Sequence, residues 1–210
     1  MVTRTPQPLL IFPCNGNAIE ALDCLGSAFQ LIGFVDDSPE KIGREVHGHK
    51  VFTRAAFGDW PTALVLAVPG SPASFRLRRA SIEGLGIAPA RFARVVHPGA
   101  HVSPLAVLGH NLLVMAGAVI TSNAVIGNHV CVLPNSVIHH DVTVGDWSLI
   151  GSNVTIAGHT RLGDNCYIGS GSSLMNGLEI GAGALVGMGS TVIRPVAAGA
   201  VVAGSPARRL

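Results

Sequence analysis

Residues 102–126, VSPLAVLGHNLLVMAGAVITSNAVI, place a Val, Leu or Ile at every sixth position, and the spacing continues to residue 192 without a slip. The run reads Val102, Leu108, Val114, Ile120, Ile126, Val132, Ile138, Val144, Ile150, Ile156, Leu162, Ile168, Leu174, Ile180, Val186 and Val192. Neither the 3.6-residue period of a helix nor the two-residue alternation of a strand yields a strict six. A second period lies on the first: Gly109, Gly127, Gly145, Gly163 and Gly181 each follow a repeat aliphatic, eighteen residues apart. Eighteen is three sixes, so one coil of a solenoid has three sides and one tighter corner. Glycine suits that corner because it takes backbone angles costly to other residues. Four positions after an aliphatic the residue is small, as at Ala106, Ala118, Ala124, Ser136, Ser148, Thr160, Cys166, Ser172, Ala184 and Ser190. A narrow three-sided interior admits these and rejects aromatics. The pattern predicts a prism of parallel strands, its five coils stacking to about 25 Å at the usual strand spacing.

The rest of the 210 residues bounds the problem. Low charge (12%) with 48% apolar content excludes a disordered chain. A net charge of +2 gives no general reason to bind nucleic acid or an anionic membrane. Apolar runs of four to eight residues fall short of the roughly 20 that span a bilayer. The opening MVTRTPQPLLIFPCNG reads as no export signal, so a cytoplasmic setting is expected. Cys14, Cys24, Cys131 and Cys166 lack framework spacing and are read as reduced thiols.

Residues 1–97 form a different unit. Leu9–Phe12 reads as a buried strand, Pro13–Gly16 as a turn, and Asn17 with Glu20 as a capping box opening a helix to about Phe29. Leu31–Val35 and Thr62–Val68 are further strands, Pro72–Glu83 a helix, and Ala93–Val96 a fourth strand. Strands alternating with helices predict a small Rossmann-like parallel α/β sheet. The turn Asn15-Gly16-Asn17 precedes a helix start, where phosphate meets unpaired N–H groups. Asp36 lies twenty residues beyond Gly16, near the distance at which a dinucleotide fold binds ribose. GxGxxG is absent, so a mononucleotide or nucleotide sugar fits better than NAD. Otherwise Asp36 and Asp37 simply end a strand.

His140 follows the inward Ile138 by two positions and is therefore on the outer surface, next to Asp141. A histidine held by an adjacent acid suits proton transfer at neutral pH. His159 comes nineteen residues later, one coil plus one, and stacks near His140; it faces a bound group or is a solvated corner. His97 is assigned to the junction between the two units, and His101, His110 and His129 to surface corners. Zinc held by three nitrogen ligands needs convergent geometry, which the spacings of His97, His101, His110 and His129 do not supply, so no metal site is expected.

The opening strand and turn, FVDD at 34–37, LAVPGS at 66–71, VVHPGAHVSP at 95–104, the hexads and GSPAR at 204–208 together cover nearly the whole chain. In these the chain resembles the sialic-acid O-acetyltransferase family in its broad sense. That family includes N-acetyltransferases of nucleotide-linked 4-amino sugars, of the bacillosamine and perosamine type. The resemblance implies a left-handed parallel β-helix over 98–210 that binds acetyl-CoA, a nucleotide-sugar domain over 1–97, and a homotrimer with coenzyme between adjacent prisms. Few charges over 100–200 agree with covered faces. It implies His140 as general base, oriented by Asp141, and the Gly158 N–H as holder of the thioester carbonyl. His159, Gly187, Gly189, Arg194, Gly204 and Arg208 would line the coenzyme groove; Asn15, Gly16, Asn17, Asp36 and Asp37 would receive the nucleotide sugar. The chain departs from its relatives at His139, often Glu in them, and at Asn17, a His in the bacillosamine type. The expected activity is N-acetylation of a nucleotide-linked 4-amino sugar. O-acetylation of sialic acid or another sugar, and a non-catalytic trimeric nucleotide-sugar scaffold, are the alternatives.

Overall fold

The first strand, β1 (Gln7–Phe12), is central to a five-stranded sheet that also contains β2 (Phe29–Val35), β3 (Glu45–Val46), β4 (His49–Phe52) and β5 (Leu64–Ala67). The strand order is β3-β4-β2-β1-β5, parallel except for the β3–β4 hairpin. The computed structural model describes residues 5–210; Met1–Arg4, part of the stretch read for an export signal, lie outside the described residues. The hairpin was not expected from sequence. It turns on His47-Gly48, both at positive φ, the geometry that suits the twist of paired strands.

Several expected boundaries move. Helix α1 spans Gly16–Glu20, and its cap is Asn15, whose side chain accepts the Ala18 N–H at 2.9 Å; Asn17 lies inside the helix. A 3₁₀ turn at Ala21–Cys24 follows, and Gly26 at φ +52 ends the segment before Phe29. Helix α2 is Ala56–Asp59. The helix expected over 72–83 is a 3₁₀ turn at Phe75–Leu77 running into α3, Arg78–Glu83. The strand Arg94–Val96 leaves the sheet after one bridge, Val65 to Phe92, and pairs instead with Leu112–Val114 of the prism.

From there the chain winds as a left-handed parallel β-helix. Its three faces hold eight strands (from Arg94–Val96 to Arg208–Arg209), six (from 101–102 to 191–192) and five (from 107–108 to 179–180). Every aliphatic of the hexad run from Val114 onward is buried, and together they fill the prism with the small residues at the corners. The corner serines also bond backbone: the Ser136 hydroxyl donates to the Gly151 carbonyl at 2.6 Å and accepts the Val154 N–H. The repeat extends beyond the run read from sequence. It begins at Val96, paired with Val114, and ends in a sixteen-residue coil that pairs Val186 with Val202. The final strand, Arg208–Arg209, runs antiparallel against Val202–Ala203.

The eighteen-residue glycines serve a purpose other than the expected one. Gly109, Gly127, Gly145, Gly163 and Gly181 do not have positive φ. Their constraint is closeness: a Cβ on Gly145 would lie 2.5 Å from the Gly163 carbonyl carbon of the next coil. Left-handed backbone occurs at another register. Every sixth residue from Asn111 to Gly189 has positive φ, and most are Asn, Asp, His or Gly, the types that tolerate it.

The two units share one apolar core. Leu113, Cys131 and Leu149 on the outside of the eight-stranded face pack with Leu9, Ile11, Leu66, Phe75 and Val95. Cys131 therefore lies on a covered strand. Asn111 seals the joint by accepting the Ala67 N–H at 2.7 Å and donating to the Ala67 carbonyl at 2.9 Å. His129, expected at the surface, is 8% exposed beneath this joint, its ring stacked on Trp147 and edge-on to Phe92. Burial lowers its pKa to about 4, so the ring is neutral and its Nδ1 accepts from the Asn111 amide.

Candidate active site

Ile138 points into the prism, and the chain then turns the corner between the six- and five-stranded faces through His139, His140 and Asp141. Asp141 sits at φ +60, one step of the left-handed series, which folds its carboxylate back toward the preceding residue. Its Oδ2 lies 2.7 Å from His140 Nδ1. Asn123, one coil earlier, donates to the other oxygen at 3.1 Å. The His140 bond first, then the Asn123 bond, holds the Asp141 carboxyl below its ordinary range. A carboxylate accepting from Nδ1–H leaves Nε2 with a free lone pair, the state a proton acceptor needs. The His140 side chain is 52% exposed, so that nitrogen is reachable.

Gly158 is the floor of the pair. A Cβ there would lie 2.7 Å from His140 Cε1 and 2.8 Å from Nε2, so the imidazole lies directly over this residue. The Gly158 carbonyl accepts from Gly177, while its N–H donates to no other group among the described residues. His159 stands edge-to-face on His140 with centroids 5.0 Å apart, and its Nδ1 is 3.9 Å from the Asp141 carboxylate. The ligand atoms of His140, Asp141 and His159 all lie within 4.8 Å of one another, close enough to hold a metal ion. The stacking of His159 near His140 agrees with the one-coil spacing, whereas the capacity of the three side chains to converge on one ion was not read from sequence.

The residues expected to receive a nucleotide sugar divide into two groups. Asn15, Gly16 and Asn17 line a cleft of about 480 Å³ with Pro13, Pro69, Gly70, Ser71 and Ser74. Asn17, Gly70 and Ser71 continue it onto Leu133, Leu149 and Tyr167 of the prism. Asp36 works behind that lip. It is 3% exposed and accepts the Cys14 and Ser38 N–H groups, each at 2.9 Å, together with Lys41 Nζ at 3.0 Å. Lys41 also donates to the Cys14 carbonyl, so the pair grips both sides of the residue preceding Asn15. Asp37 is held by two bonds of 2.7 Å from Arg54.

The expected coenzyme residues spread along the prism. A Cβ on Gly187 would meet Ala203, and Gly189 and Gly204 have positive φ. Arg194 and Arg208, joined by Arg209, line a separate pocket of about 280 Å³ at the end of the stack. Within one protomer the structure does not bring His140 to the cleft: the cleft reaches one edge of the six-stranded face, and His140 stands at the other. Sequence reasoning also missed Arg78, buried beneath the cleft wall; no periodic signal marks it.

The model of the bacterial transferase hexapeptide (six repeats) matches residues 123–158 and 159–194. No curated protein matches the sequence. Among solved structures, the acetyltransferase domain of PglB from Neisseria gonorrhoeae FA1090, in complex with acetyl coenzyme A, is similar with a TM-score of 0.84 and 25% identity, covering 98% of this chain and 100% of that one. WeeI from Acinetobacter baumannii AYE gives the same values. PerB from Caulobacter crescentus, in complex with CoA and GDP-perosamine, shares the fold with a TM-score of 0.83 at 24% identity, over 99% of this chain and 98% of that one.

Proposed function

We propose that this chain, an acyltransferase of the hexapeptide-repeat type, moves an acetyl group from acetyl-CoA to the amine of a nucleotide-linked 4-amino sugar. The observation that carries the reading is the exposed His140 ring, oriented by Asp141 and laid over Gly158. The near-complete overlap with an acetyltransferase domain supports it. Acetyl transfer needs an acceptor for the amine proton and a donor for the carbonyl oxygen as it gains charge. The amine nitrogen forms its bond to the acetyl carbon, its proton passes to His140 Nε2, and the carbon–sulfur bond breaks with CoA leaving as the thiolate, which takes up that proton. The Gly158 N–H is the donor to the oxygen. No cysteine carries the acetyl group: Cys131 and Cys166 are both fully buried, and burial raises both thiols, Cys166 to about 11.

The cleft formed by 13–17 and 69–74 receives the nucleotide sugar. Because His140 lies one face away, the reaction joins the cleft of one copy to the His140 corner of a neighbour, in a homotrimer. Val107 and Val125, exposed side by side on the five-stranded face, support such packing. The bound sugar is a cytoplasmic intermediate on this reading, since acetyl-CoA is the donor. Among the described residues no helix is long and apolar enough to cross a membrane.

Thiol release from acetyl-CoA with UDP-, dTDP- and GDP-linked 4-amino sugars tests the proposal. Turnover with at least one is the expected result. Release only with sialic acid or hydroxyl acceptors makes the enzyme an O-acetyltransferase, and none with any acceptor leaves a binding scaffold.

A further inference from the structure

Arg78 is the most deeply buried charged side chain described, 1% exposed. Its guanidinium meets no carboxylate among the described residues. Nε and Nη2 donate to the His129 carbonyl at 3.3 and 2.7 Å, Nη1 donates to the Pro69 carbonyl, and Nη2 lies 3.3 Å from Cys131 Sγ. Burial keeps Cys131 a thiol, so it is no counter-ion. A buried cation facing only neutral acceptors is costly, and removing water from it without compensation is among the larger penalties in a protein interior.

The position of this charge shows where compensation arrives. Arg78 opens α3 directly behind the wall of the cleft: a Cβ on Gly70 would lie 3.7 Å from Arg78 Cδ and 3.8 Å from Nη1. Pro69, Gly70 and Ser71 form that wall, and every residue lining the cleft is uncharged. Lys41 and Arg54 are neutralised by Asp36 and Asp37. The cleft thus has a cation one residue layer below its surface, in an apolar wall that screens it less than water would.

We propose that Arg78 supplies the counter-charge for a diphosphate bound in this cleft, acting through the Pro69-Gly70 wall without touching the ligand. The inference rests on the nucleotide-sugar reading above and assigns the recognition of its diphosphate to this residue. Arg78 also ties the wall to the prism through the Pro69 and His129 carbonyls, which makes it a positioning residue. The two roles are separable because charge discriminates a diphosphate from its nucleoside and wall position does not.

Calorimetric titration of the full chain with UDP, GDP and dTDP, and with uridine, guanosine and thymidine, tests this. In Arg78→Met the diphosphate bound by the wild type should weaken by about tenfold or more, while its nucleoside weakens by less than about threefold. Arg78→Lys, which keeps the charge and loses the fork, should hold the diphosphate-to-nucleoside affinity ratio within about threefold of wild type. Equal losses for both ligand types in Arg78→Met, or unchanged diphosphate affinity, overturn the inference while leaving the nucleotide reading intact. Should Arg78→Met fail to fold, collapse of the ratio in Arg78→Lys overturns it. A wild type that binds none of the six probes removes the nucleotide reading itself, and the inference with it.

Discussion

Replacing Gly158 by alanine tests the active-site geometry at a single atom. The new Cβ would lie 2.7 Å from His140 Cε1, so the ring must recede to an ordinary 3.4 Å, about 0.7 Å. Such a retreat stretches the 2.7 Å bond to Asp141 and moves Nε2 away from the incoming amine. Displacements near 1 Å cost about 10²-fold in rate when a reacting group is misplaced. Gly158 does not have positive φ, so alanine suits the backbone and the fold should survive. Thiol-release kinetics should show kcat lowered about 10²-fold, with the melting temperature within a few degrees of wild type. A double variant separates causes: on a His140→Ala background, Gly158→Ala should add almost nothing, because both changes act through one ring. Full activity in Gly158→Ala, or independent losses that multiply in the double variant, would refute the arrangement.

His140→Ala alone should lower turnover by about 10²-fold or more, and retained activity at neutral pH would transfer the base role to His159. Asp141→Asn should cost less and act on kcat rather than on coenzyme affinity, as measured by titration with CoA. Zinc, which favours imidazole and carboxylate ligands, should inhibit reversibly through His140, Asp141 and His159. EDTA should restore the rate, and His159→Asn should lower zinc affinity as measured by chelator competition. His129 gives a pH prediction: its pKa is depressed to about 4 when folded, so the unfolded chain binds its proton first as pH falls. Stability is fully present above about 6.5 and declines toward 4, by up to about 3 kcal/mol. Denaturant melts across that window should show a flatter profile in His129→Asn, which keeps the left-handed turn; identical profiles would remove His129 from the cause.

The prism was legible because its interior repeats: a six-residue edge forces an aliphatic and a small residue to recur, and nothing else produces that register. His140 and Asp141 were legible for the same reason, since their offset from Ile138 fixes the direction in which they point. The positive-φ series escaped notice because Asn, Asp, His, Trp and Gly share a backbone state there but no single side-chain chemistry. Glycines at the tight corner were located correctly but explained wrongly, as sequence spacing shows recurrence and not the distance to the next coil. Arg78, Asn111 and His129 depend on contacts spanning 44 to 53 residues between two differently organised units, so no local pattern announces them. Asp36 was seen as a ligand contact, whereas its neighbours Lys41 and Cys14 make it a brace for the turn.

A stack of parallel coils offers its last rung as a template, and an identical molecule arriving end-on could continue the ladder indefinitely. Here the widest face is closed by Arg208–Arg209, laid against Val202–Ala203 in the opposite direction. The reversed strand breaks the winding sense that another copy would need, and its two exposed cations repel a like-charged newcomer. On this face the reversed strand therefore denies a second copy the parallel edge on which another coil would stack.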